Sequence, residues 1–238
     1  IPLAWLMEDA FLVCLDLDNG GTLWEKKLVW PEAKNVLYSQ LTPEGILLTS
    51  SESLSGKARY HFRMFSLSTG QPVWSLQHDH VKGGLYHGEQ VHHPLVLRQN
   101  DGVCRLMAEP FCYDLKTGKK TLPSGMQKDW TLRRPGHSCG TLSGCGNCLF
   151  FRASFPTVLN MNSKQSNPFT ALAPSRPGCW INIIPAGGRL LIPEASASCV
   201  CKYSLQTSLC FEPVAEAELD REIIILPDVL PKNLPSLN

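Results

Sequence analysis

One short pattern occurs five times along this chain. Leu15-Asp16-Leu17-Asp18-Asn19-Gly20 is followed by Trp24, and Phe65-Ser66-Leu67-Ser68-Thr69-Gly70 by Trp74. Tyr113-Asp114-Leu115-Lys116-Thr117-Gly118 repeats the unit, with Leu122 at the tryptophan position. Residues 159–164 and 203–208 are worn copies that end in Lys164 and Ser208. The turn positions 20, 70, 118, 164 and 208 are 50, 48, 46 and 44 residues apart. A self-similar period of this size, built on strands, specifies a propeller or a stacked β array.

Each unit reads strand, tight turn, strand. Alternating Val13, Leu15 and Leu17 predict a strand with that face buried. The Asn-Gly or Thr-Gly pair supplies the left-handed turn residue. Trp24 and Trp74, four residues past the glycine, are expected to pack between neighbouring sheets. A second hairpin precedes each unit from the second onward. Its arms are 36–42 with 46–51, 91–99 with 103–108, 137–143 with 148–152, and 179–185 with 189–193. Two hairpins per period make four antiparallel strands, A to D, which is one propeller blade. The expected fold is therefore an all-β propeller with about four and a half blades over residues 1–212. Residues 1–26 supply the last two strands of the first blade, and 213–238 form a Pro-rich tail or a closing strand. A start in mid-blade suggests part of a larger propeller, with further blades or a catalytic domain outside this chain.

The 238 residues are 43% hydrophobic, enough for a substantial core. The net charge of +1 gives no electrostatic case for nucleic acid. No run of 18 apolar residues predicts a membrane span. Ten cysteines point to a periplasmic or secreted location with disulfides, the candidates being Cys139, Cys148, Cys179, Cys199 and Cys201. Free thiols are the alternative. Zinc ribbons need two CxxC knuckles, whereas this chain has one, Cys145 to Cys148, and one CxC, Cys199 to Cys201. No metal is therefore expected. GxSxG, P-loop, GxGxxG and HExxH signatures are absent.

Registering the periods against one another locates a candidate site. The segment entering strand A is polar in three consecutive periods: His87, Glu89 and His92, then Arg133 and His137, then Arg176, Trp180 and Asn182. His87, Arg133 and Arg176 lie 31, 31 and 32 residues before their turn positions. Strand B runs antiparallel to A, so its end reaches the same rim, and it carries Glu52, Glu109, Arg152 and Glu194. Polar groups converging on one mouth of a channel predict a site for a small molecule, glycan or protein. Register-equivalent Arg and Glu also suit ties between blades.

These residues resemble a known family. The unit with Asp16, Gly20 and Trp24, matched around Phe65–Trp74 and partly around Asp114–Gly118, is similar to the repeats of pyrroloquinoline-quinone-like (PQQ-like) propellers. Arg176-Pro177-Gly178-Cys179-Trp180-Ile181-Asn182, Pro193-Glu194-Ala195, Cys199-Val200-Cys201 and His87-Gly88-Glu89-Gln90 resemble large bacterial extracytoplasmic members. The resemblance covers most of residues 10–212. It implies the propeller fold and two functional branches. One is a non-catalytic binding or scaffold domain without cofactor. The other is a quinoprotein oxidoreductase, or a fragment of one, using PQQ with calcium. The adjacent Cys-Cys pair frequent in that second branch is absent.

Overall fold

The computed structural model describes residues 10–30, 37–54, 57–79, 94–130, 132, 140–165, 167–172, 175–179, 183–194 and 207–213. Within these the chain is all β, arranged as five antiparallel sheets in chain order. Sheet one pairs β1 (Phe11–Leu15) with β2 (Thr22–Lys27). Sheet two holds β3 (Leu37–Thr42), β4 (Gly45–Leu54), β5 (Lys57–Phe65) and β6 (Pro72–Asp79). Sheet three holds β7 (Leu95–Arg98), β8 (Cys104–Ala108), β9 (Phe111–Asp114) and β10 (Lys120–Thr121). Sheet four holds β11 (Ser143–Cys145), β12 (Cys148–Ala153), β13 (Phe155–Asn160) and β14 (Phe169–Ala171). Sheet five holds β15 (Ile184–Ala186), β16 (Arg189–Ile192) and β17 (Leu209–Phe211).

Every strand pairs with its neighbour in sequence, so each sheet is a simple meander. The repeat turns explain why. In the first, the Asp16 carboxylate accepts from the Asp18 amide at 2.8 Å, and the Gly20 amide donates to the Asp16 carbonyl. Gly20, at φ +71°, takes the left-handed conformation that ends the turn. In the third, the Asp114 carboxylate accepts from both the amide and the hydroxyl of Thr117.

Two expectations are corrected. The Val13, Leu15 and Leu17 face is the exposed one, with Leu17 fully in solvent; Leu12 and Cys14 point inward instead. Alternation defines two faces of a strand, but only the neighbouring sheet decides which is covered, and sheet two covers the face bearing Leu12. The hairpin in sheet four turns at Gly146-Asn147 alone, because Cys145 already pairs with Cys148.

The sheets bury apolar cores in series. Leu12, Leu28, Trp30, Leu48 and Phe65 meet between sheets one and two. Leu47, Phe62, Met64, Leu106 and Leu115 meet between two and three. Leu97, Met107, Leu149, Phe151 and Leu159 meet between three and four, and Phe150, Leu190, Ile192 and Phe211 between four and five. Each inner sheet therefore uses both faces, which is why Met64 and Phe65 are both buried yet serve different cores.

The repeat tryptophans fasten the first two of these junctions. Trp24 Nε1 donates to the Leu67 carbonyl at 3.0 Å, and Trp74 Nε1 to the Leu115 carbonyl at 3.1 Å. Each indole lies on the turn glycine of the next sheet. A Cβ on Gly70 would come within 2.6 Å of Trp24, and one on Gly118 within 2.7 Å of Trp74. The pairing also explains the worn copies: where Leu122 replaces tryptophan, the next turn carries Lys164 instead of glycine.

A buried amide hub takes over between sheets three and four. The Asn147 side chain donates to Asn162 Oδ1 at 2.8 Å and accepts from the Asn100 amide at 3.1 Å. Gln99 Oε1 accepts from the Ser124 amide at 2.8 Å, and Gln99 Nε2 lies 3.5 Å from Asn147 Oδ1.

Candidate functional site

The candidate residues sit where second strands end and where the chain leads into the next sheet. Glu109 directly follows β8, and its Oε1 accepts from the Leu132 amide at 2.7 Å, across the loop toward sheet four. Arg152 lies near the end of β12, on the face that Phe150 turns toward sheet five. Glu194 follows β16, and its amide donates to Ser208 Oγ at 3.0 Å. Glu109 therefore ties one sheet to the segment leading into the next.

At the following junction two arginines meet a thiol. Arg152 Nη1 is 4.0 Å from Cys179 Sγ, and Arg176 Nη2 is 3.7 Å from the same sulfur. Arg152 and Arg176 are each 1% exposed, and Cys179 is 6% exposed. Arg176 Nε and Nη1 and the Ser175 hydroxyl, all buried, have no hydrogen-bond partner. One carboxylate oxygen of Glu194 is in the same condition. Buried unpaired polar groups are rare in folded proteins and mark places where something else completes the bonding.

His87, Glu89, His92, Arg133, His137, Trp180 and Asn182 lie outside the described residues, as do Cys139, Cys199 and Cys201. Cys148 and Cys179, the remaining two of the five disulfide candidates, are free thiols. Cys179 faces guanidinium groups instead of a second sulfur. Cys148 packs into the core between sheets four and five, where burial pushes its thiol up from the ordinary range. Among the described residues no three metal-ligating side chains gather.

Other chemistry emerges only in three dimensions. The Tyr113 hydroxyl and His78 Nδ1 are 2.9 Å apart in an aromatic cluster with Phe62 and Phe111. Desolvation there pushes Tyr113 up to about 12. An apolar hollow of about 580 Å³, lined by Cys145, Phe150, Pro185, Leu190 and Phe211, opens at the Gly187-Gly188 turn. That turn is the end of sheet five opposite Glu194. His78 is polar within an alternating strand, a signal that the sequence offers. The hollow carries none, since its lining reads as ordinary core.

No family model matches the chain, and a search of curated proteins finds no relative. Among the described residues no helix is long and apolar enough to cross a membrane.

Proposed function

We propose that this chain is a non-catalytic PQQ-like β-propeller domain of an extracytoplasmic bacterial protein, acting in binding or as a scaffold. Its ligand is recognised at the channel mouth lined by Glu109, Arg152, Arg176 and Glu194. One observation supports this above the others. Arg152 from one sheet and Arg176 from the segment leading into the next are both buried and converge on a single sulfur. Propeller geometry gives this convergence, because the end of strand B and the entry to the next strand A share one rim. Close approach of β7 to β11 and of β11 to β15 suits first strands that line a common axis.

The test is calorimetric titration of the folded chain with PQQ and calcium, paired with a dye-acceptor assay. The expected result is neither saturable binding nor dye reduction. Binding together with reduction overturns the proposal in favour of the quinoprotein oxidoreductase. A glycan array then identifies the ligand class, and binding there should be lost in Glu194→Gln.

A further inference from the structure

We infer that the junction of Arg152, Arg176 and Cys179 is a receptor for a small oxyanion: a carboxylate, sulfate or phosphate group. This rests on the binding-domain reading above and names the chemistry that its rim selects. Four facts lead to it. The groups shown to meet at the junction are two guanidinium N–H donors and a thiol. Arg176 is 1% exposed, and two of its three nitrogens have no partner. Among the described residues no carboxylate lies within ion-pair distance of it. A second guanidinium, that of Arg152, approaches the same sulfur.

A guanidinium keeps its charge in a protein, so burial without a counter-charge is costly, and a second like charge adds to that cost. A thiol hydrogen-bonds weakly and offers little compensation. An oxyanion resolves each of these at once. Its oxygens accept from Arg176 Nε and Nη1, and its charge offsets that of Arg176. The contrast with Arg105 is instructive. That arginine is 9% exposed and is met by both oxygens of Asp101 at 2.8 Å. The chain thus supplies a counter-charge to one buried arginine and, among the described residues, none to the other. Tight burial makes small inorganic ions, not bulky ligands, the right first probes.

The experiment titrates the full chain with sulfate, phosphate and oxalate at constant ionic strength, against chloride, by calorimetry and thermal unfolding. Saturable binding of at least one is expected, weakened at least about 10-fold in Arg176→Gln and Arg152→Gln, equivalent to about 1.4 kcal/mol. Arg59→Gln, which alters a partly exposed arginine paired with Asp79, should bind as the parent does. A second readout needs no substitution. Saturating anion should slow alkylation of Cys179 by iodoacetamide, followed by peptide mass spectrometry, while exposed Cys145 and Cys210 react unchanged. Preference for oxalate identifies a carboxylate ligand; preference for phosphate or sulfate identifies an ester of that acid. Absence of binding, or equal binding in all the variants with no protection of Cys179, overturns the inference. Either result leaves the domain free to bind a neutral ligand, which the glycan array reads separately.

Discussion

The junction between sheets two and three and the junction between sheets three and four solve the same problem with opposite materials. At the first, Trp74 lies on Gly118 and spends its only N–H on the Leu115 carbonyl. At the second, the same place in the repeat is occupied by Leu122 and Lys164, and Asn147, held by Asn162 of its own sheet, bridges to the Asn100 backbone of sheet three. An indole contributes mainly area removed from water and tolerates small shifts. An amide hub contributes direction, and it is costly when one member is missing. The indole junction should therefore lose most to truncation, and the hub should be the more sensitive to the chemistry of its substitution.

Four measurements sharpen or break this contrast. Trp74→Ala should cost about 2–4 kcal/mol in chemical denaturation, since it strips a half-buried indole from the core between sheets two and three. A loss below about 1 kcal/mol would show that the indole is ornamental to the junction. Asn147→Ala should cost about 1–2 kcal/mol, chiefly by leaving the buried Gln99 Nε2 with only the Met161 sulfur. Asn147→Leu, of similar size, should not recover it; recovery would mean that volume, not hydrogen bonding, matters at the hub.

Glycine substitutions come next. Gly118→Ala must push a Cβ into the Trp74 ring, whereas Gly20→Ala meets nothing within 4 Å, and the two residues share φ near +70°. The first should be the more destabilising by about 1–3 kcal/mol, the overpacking penalty. Equal losses, measured by thermal unfolding, would mean that backbone conformation alone is responsible. The smallest effect concerns pH. Hydrogen bonding to Arg105 lowers Asp101 to about 2. Its folded-state value is depressed, so its contribution is complete above about pH 4 and is lost as pH falls towards about 2. The pair is partly exposed, so solvent screening should hold the effect to about 1 kcal/mol or less. Asp101→Asn should flatten that part of the stability profile, and an unchanged slope would assign acid sensitivity elsewhere.

The turns were legible in the sequence because their chemistry is local: Asp16, Thr69 and Gly118 need no distant partner to declare a tight turn. The approach of Arg152 to the segment around Arg176 was also within reach, because antiparallel strands return their ends to known places. Facing was not. Val13, Leu15 and Leu17 alternate correctly, yet they lie on the exposed side, since alternation carries no information about which side receives a neighbour. Asn147 read as a turn residue because its role depends on Asn162 and Gln99, both remote along the chain. Cys179 read as half of a disulfide for a similar reason, as one of its guanidinium neighbours, Arg152, comes from the preceding sheet.

The indole-on-glycine contact makes the inherited unit of this molecule something other than the visible repeat. Trp24 answers to Gly70, and Trp74 to Gly118, so each constraint spans two consecutive sheets. The following glycine can gain a side chain without meeting the indole only where the tryptophan is gone, as Leu122 and Lys164 illustrate. Chimeras cut at sheet boundaries would separate these partners. Cuts placed within a sheet, between its third and fourth strands just after the turn glycine, would carry each indole along with the turn on which it rests.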